Sequence, residues 1–172
     1  GTLYMLANTA DLIDLQQMKE SGMTEQEWLN TTIKATDGKA PRFLAGKLNL
    51  DEQPQGQYVL PMTLQHGIAR FDLLMRAGGA ISIKSITLKN LAQASYLISQ
   101  DEVRSPEGTD MQDLQFTFDQ PLLKDTLGLA YVCEQTNTDL MVEVEMEMGG
   151  QIYVQQAALP SVLKRNTVYT LT

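Results

Sequence analysis

The chain has 172 residues, 43% of them hydrophobic, and a formal net charge of -8. That length holds one well-packed domain, and no run approaches the roughly 18 apolar residues of a membrane-crossing helix. A sequence pI near 4.6, with no dense basic patch, argues against nucleic-acid binding, because a phosphate backbone would be repelled.

Residues 3–7 read as a short strand. Asn8 and Thr9 can cap a helix over 10–20, with Leu12, Ile13 and Leu15 on one side and Gly22 as its stop. Thr24-Glu-Gln-Glu27 matches a capping box, in which the threonine hydroxyl and the glutamate satisfy each other's orphan amides. It predicts a second helix over 25–34, anchored by Trp28 and Leu29. Residues 8–36 thus form a small N-terminal helical insertion in what is otherwise a β protein.

Extended character resumes over 43–50, and 51–57, with Pro54 and Gly56, is a loop. A short extended piece covers 58–64. Over 66–75, Ala69, Phe71, Leu73 and Met75 fall on one side and Arg70 and Asp72 on the other, the spacing of a strand. Gly78-Gly79 predicts a tight reversal into a return strand over 81–90, and hence a β-hairpin. The apolar phase moves from Ile81 and Ile83 to Ile86 and Leu88, so one extra residue near Ser85 predicts a bulge.

Residues 92–99 fit a strand or a short helical turn, and 101–113 an exposed loop. Strands follow over 114–118 and 127–133. The clearest alternation is 140–148, where Leu140, Val142, Val144, Met146 and Met148 share one face and Glu143, Glu145 and Glu147 the other. Gly149-Gly150 turns it into 151–155, a second hairpin. A last strand closes the chain before Thr172. Many strands, hairpin turns and few helices predict a mostly β fold, an antiparallel β-sandwich.

The inventory for chemistry is poor. Cys133 is the only cysteine, which excludes an internal disulfide, and its apolar run reads as that of a buried structural thiol. His66 is the only histidine, so a multi-histidine metal site cannot form, and Cys133 cannot build a zinc site with it alone. A Ser-His-Asp relay through His66 lacks a Gly-x-Ser-x-Gly elbow. Leu127 breaks the match of Asp125-Thr-Leu-Gly to an aspartic-protease motif, and both glycine pairs lack the Lys-Ser/Thr of a phosphate loop. Glu143, Glu145 and Glu147 repel one another and read as a solvated face. Asp101, Glu102, Glu107, Asp110 and Asp113 match no calcium-loop spacing. The expectation is a protein that is not an enzyme, with no catalytic residues, no cofactor and no metal.

Two stretches resemble a known family. Leu60-Pro-Met-Thr-Leu-Gln-His-Gly-Ile-Ala-Arg-Phe-Asp-Leu-Leu, followed by Ile83-Lys-Ser-Ile-Thr-Leu-Lys-Asn90, is similar to the paired strand motifs of Bacteroidetes fimbrillins. Leu163-Lys-Arg-Asn-Thr-Val-Tyr169 resembles the "Leu-x-Arg-Asn-x-x-Tyr" strand of the same superfamily. The resemblance implies a transthyretin-like Greek-key β-sandwich belonging to a type V pilus subunit, or to an anchor or tip protein of such a pilus. Members are exported as lipoproteins to the outer membrane, and many polymerise after an arginine-specific protease removes the first strand. A neighbour's strand then fills the groove.

His66 departs from the family pattern, which has a basic residue there, and residues 10–34 match nothing in it. Members usually carry two β domains, so residues 1–172 form either one domain of a longer two-domain protein or a reduced relative. No lipid-modified cysteine or signal peptide is visible, and Gly1 reads as a scar of tag removal, which leaves room for a leader upstream. Arg42, the first arginine in the chain, is the candidate processing site. The resemblance thus implies a fimbrial subunit at the cell surface that binds other pilus subunits by strand addition and a surface ligand by adhesion, while the net charge of -8 argues against nucleic acid as a partner. The alternative is a β-sandwich glycan-binding module of a surface lipoprotein, which a concave aromatic site would favour.

Overall fold

A computed structural model describes residues 1–56, 59–76, 81–120, 122 and 124–172. Strand β1 (Thr2–Ala7) opens the chain, and helices α1 (Leu15–Glu20) and α2 (Glu25–Leu29) follow it. Helix α1 is shorter than the 10–20 expected. Asp14 caps it, accepting from the Gln17 amide at 2.9 Å, while Leu12 and Ile13 close a tight turn on the Thr9 carbonyl and pack inward. A carboxylate cap placed four residues into the expected segment outcompetes Asn8 and Thr9. The capping box of Thr24 and Glu27 is present with both of its hydrogen bonds. Helix α2 nevertheless ends at Leu29. The β-branched run Thr31-Thr32-Ile33 favours extended backbone, and β2 (Thr32–Lys34) forms where helix was expected.

Next come β3 (Leu44–Asn49), which pairs antiparallel with β1, and β4 (Gln65–His66), which extends the same small sheet. Of the extended piece expected over 58–64, Tyr58 lies outside the described residues, and 59–64 form no regular strand. The chain then supplies β5 (Ile68–Leu73), β6 (Ile81–Ala92), β7 (Ala94–Tyr96), β8 (Met111–Thr117) and β9 (Thr126–Cys133). Last are β10 (Gln135–Thr136), β11 (Met141–Met148), β12 (Gln151–Ala158), β13 (Val162–Leu163) and β14 (Thr167–Leu171).

Two sheets form the sandwich, one in the order β12-β11-β6-β8 and the other β14-β5-β9. Short pairs β2-β7 and β10-β13 complete the strand set. Among the described residues pairing is antiparallel except between β14 and β5, which run parallel from Thr167↔Ala69 to Leu171↔Leu73. The mostly β architecture with a small helical insertion is as the sequence predicts.

The hairpin expected from β5 and β6 does not form; this is a correction. Strand β5 pairs with β14 and β9, and β6 with β11 and β8, so the two lie in different sheets. Ala69, Phe71 and Leu73 from one and Ile86 and Leu88 from the other share a single core. Alternation fixes which face is buried, and it is satisfied equally by a face-to-face partner and an edge-to-edge one. The Gly78-Gly79 reversal lies outside the described residues. The predicted bulge is present: Glu145 pairs with Ser85 but Met146 with Ile83, which leaves Lys84 as the extra residue of β6.

Two apolar clusters hold the molecule. The larger fills the sandwich around Phe71, Ile86, Leu88 and Leu140, with the Phe71 and Tyr169 rings stacked at 5.4 Å. The smaller joins the N-terminal segment to one end of the sandwich through Ile33, Phe43, Ala45, Ile68, Leu97, Ile98 and Cys133.

Candidate functional site

The segments that carry the family resemblance hold the architecture together. Asp72 is buried, accepting the Gly128 amide at 2.7 Å and Arg70 Nη2 at 2.8 Å. Gly128 sits at φ +67, and the pairing of β5 with β9 shifts register here. Asn90 sits at φ +61, its amide bonded to Asp113 Oδ1 at 3.0 Å and its side chain to the Asp139 carbonyl at 2.8 Å. Asparagine tolerates this left-handed backbone better than other residues with a Cβ. At the closing strand, Asn166 at φ +55 donates its amide to the Ile68 carbonyl at 2.8 Å. The Tyr169 hydroxyl accepts from the Lys164 amide and donates to the Val162 carbonyl, at 2.8 and 3.2 Å.

The Gly128 amide, with help from Arg70, holds the Asp72 carboxyl below its usual range, against the opposing effect of desolvation. A lowered folded value stabilises the protein above the unfolded value of about 4, and that stability is lost as pH falls through the folded value. Asp72→Asn is therefore expected to flatten the loss of stability below about pH 4, as read by urea unfolding across that range. An unchanged acid slope in the variant would remove Asp72 from the account.

Groups with catalytic potential are dispersed. His66 lies exposed on β4. Cys133 is buried, and burial pushes its thiol up to about 11 against an opposing hydrogen bond from Ser95, so it is inert as a nucleophile. Among the described residues no three His, Cys, Asp or Glu side chains gather as a metal site. The glutamate face of β11 is less solvated than its spacing suggested. Lys89 pairs with Glu143 at 2.7 Å and Lys84 with Glu147 at 2.6 Å, and all four side chains are partly covered. The Lys89 hydrogen bond, then that of Gln156, holds the Glu143 carboxyl below its usual range.

The most conspicuous surface is strand β12, which the sequence predicts as the return strand of the second hairpin but does not single out as a site. All eight of its residues are exposed, including Ile152, Tyr153 and Val154. It forms the edge of the four-stranded sheet, and among the described residues it pairs only with β11. Tyr153 stands opposite Met146 and Gln155 opposite Val144, on the face that β11 turns to the core. The inner face of β12 is therefore left uncovered by the three-stranded sheet. A long, exposed, apolar edge presents unpaired backbone donors and acceptors to any incoming strand. Three consecutive apolar residues, Ile152 to Val154, were the available signal, because a strand with one solvated face would place a polar residue between two apolar ones.

A second surface is an open groove of about 650 Å³ between β1 and the two helices, lined by Tyr4, Leu6, Leu15, Met18, Met23 and Trp28. The Tyr4 and Trp28 rings meet edge to face at 5.9 Å, and the Tyr4 hydroxyl donates to Glu25 at 2.8 Å.

Arg42, the candidate processing residue, is exposed in the link between β2 and β3. Its guanidinium stacks 5.2 Å from the centre of the Tyr131 ring. The chain is tied on both sides of it, by the Ala40 amide to the Tyr131 carbonyl and by the Phe43 carbonyl to the Gly67 amide.

Fold and surfaces together define a β-sandwich with an open sheet edge and an N-terminal α/β elaboration. The fold is shared with a candidate cell adhesion protein from Bacteroides eggerthii, at a TM-score of 0.52 and 14% identity, covering 90% of this chain and 60% of that one. Candidate cell adhesion proteins from Bacteroides thetaiotaomicron and Bacteroides fragilis align at TM-scores of 0.45 and 0.43, with 11% and 12% identity. Those alignments cover 99% and 80% of this chain and 63% and 52% of theirs. The chain thus spans less than two thirds of the length of these structures, and at such identities the likeness is one of fold. No protein-family model matches the chain, and no curated protein sequence matches it.

Proposed function

We propose that this chain is a non-enzymatic subunit or anchor/tip protein of a Bacteroidetes fimbria at the outer membrane, assembling by β-strand addition and serving adhesion. The observation that carries the reading is β12, an eight-residue edge strand exposed along its whole length. Strand addition draws affinity from main-chain hydrogen bonds and register from alternate side chains, and this edge offers both. The fold shared with the Bacteroides eggerthii candidate cell adhesion protein supports adhesion. In this reading residues 1–172 are one fimbrillin-like domain, the partners are other pilus subunits, the precursor is lipid-anchored, and Arg42 is the processing position. Cleavage there would detach β1, α1, α2 and β2 and uncover the edges of β3 and β7.

The test is polymerisation of full-length precursor treated with an arginine-specific protease, followed by SDS-resistant laddering and electron microscopy. Ladders are expected, and they should disappear when Ile152 and Val154 are both replaced by lysine. Those side chains are exposed, so each change should alter monomer stability by no more than about 0.5 kcal/mol. A precursor that is cleaved cleanly yet stays monomeric would sink the assembly reading.

The Tyr4 and Trp28 groove favours a second reading, a glycan-binding module of a surface lipoprotein. Loss of carbohydrate binding in Trp28→Ala, with assembly intact, would identify that role.

A further inference from the structure

On the outer face of the three-stranded sheet, Val168, Arg70 and Tyr131 lie side by side in one register row. The Arg42 guanidinium lies over the Tyr131 ring. Together with His66 and Asn166 these residues line a cavity of about 210 Å³.

The lining is one-sided in its hydrogen-bond chemistry. Arg70 gives only Nη2, to Asp72, while its Nε is buried and has no partner among the described residues. Asn166 turns its Oδ1 to the His66 amide at 3.3 Å, and among the described residues its NH2 group has no acceptor. Arg42 makes its contact with the Tyr131 face rather than with a carboxylate. No acidic residue lines the cavity. On a chain of net charge -8 such a surplus of donors is unusual. Arg70 is paired with Asp72, as Lys84, Lys89 and Arg165 are with glutamates, whereas Arg42 has no acidic partner among the described residues. The Arg70 side chain is 39% exposed and the Arg42 side chain is exposed as well, so an acceptor in the cavity meets their guanidinium ends.

We propose that this cavity binds an oxyanion group, a carboxylate or sulfate carried on a small polar body, between Arg42, Arg70 and the Asn166 amide. Guanidinium forks match planar and tetrahedral oxyanions with charge-assisted hydrogen bonds. The cavity is smaller than the roughly 300–1,000 Å³ of sites that enclose a whole ligand. It holds the charged group and leaves the rest of the molecule outside. The site is separate from β12 and, because it uses Arg42, it is complete only while the chain is uncut at that residue.

The experiment is a titration of the ¹⁵N-labelled chain with sodium glucuronate, glucose 6-sulfate and glucose at constant ionic strength. It follows the amides of Asn166, Thr167 and Val168 and the arginine Nε–H signals. Saturable shifts are expected with at least one anion and none with glucose. Carboxylate alone would identify acidic sugars as the ligand source, and sulfate alone would identify sulfate esters. Arg42→Gln, at an exposed loop position, should weaken binding about tenfold without changing the unfolding temperature. Arg70→Lys should weaken it while keeping a charge beside Asp72. Equal shifts with glucose, no saturable shift with either anion, or unchanged binding by Arg42→Gln would overturn the proposal.

Discussion

Arg165→Ala is expected to cost about 3–5 kcal/mol, the range for breaking a buried ion pair by removing one partner. Arg165 and Glu134 are both buried, and Arg165 Nε donates to Glu134 Oε2 at 2.8 Å. The same guanidinium donates to the carbonyls of Leu97 at 3.2 Å and Tyr96 at 2.8 Å. The Arg165 amide also reaches Glu134 Oε1, at 3.2 Å. One side chain thus ties the link before β14 to the end of β7 and to the residue after β9. Truncation leaves the buried carboxylate with only the backbone amide of residue 165 and takes the guanidinium from two carbonyls. Arg165→Lys keeps the charge but not the planar fork, so it should fall between wild type and alanine. Replacing both partners, as Arg165→Met with Glu134→Leu, should recover much of the loss, because no uncompensated charge remains. Urea unfolding midpoints read all three, and hydrogen exchange should quicken across β14 in the alanine variant. A loss below about 1 kcal/mol for Arg165→Ala would mean that water enters and solvates Glu134.

That pair also marks the limit of what the sequence discloses. Its members stand 31 residues apart, and nothing local to either position nominates the other. What was legible was local. The capping box at Thr24, the hairpin of β11 and β12 about Gly149-Gly150, and the bulge beside Ser85 each rest on a few adjacent residues. Helix ends were less secure, because Asp14 competed with Asn8 and Thr9 for one cap. Strand partnership was not legible at all for β5 and β6, whose apolar faces meet across the core instead of their backbones meeting along an edge.

The candidate surfaces follow the same division. Ile152, Tyr153 and Val154 were open to inspection as an unbroken apolar triplet. The Arg42, Arg70 and Asn166 cavity draws on three distant segments, and only the fold brings them together. The family-like motifs were visible as patterns, yet their purpose is geometric. Asp72, Asn90, Asn166 and Tyr169 each satisfy backbone groups where a strand shifts register or the chain turns.

Gly67→Ala, within one of those motifs, is expected to cost about 3 kcal/mol or more, the upper end for overpacking a rigid site. A Cβ built on Gly67 would overlap the Phe43 ring, most severely at Cζ. Phe43 is 1% exposed and packs in the smaller cluster with Ile33, Ile68, Leu97 and Cys133, so the ring has nowhere to retreat. Backbone retreat is blocked as well, because the Gly67 amide is bonded to the Phe43 carbonyl at 3.0 Å. The requirement at this position is steric, not conformational: no Cβ fits beneath the ring. Phe43→Leu should relieve the clash, so the double variant should be less damaged than the sum of the two single losses. That coupling, measured by a double-mutant cycle of unfolding free energies, distinguishes a local collision from general fragility of the lobe. Strict additivity would place the cause of the Gly67→Ala loss somewhere other than Phe43.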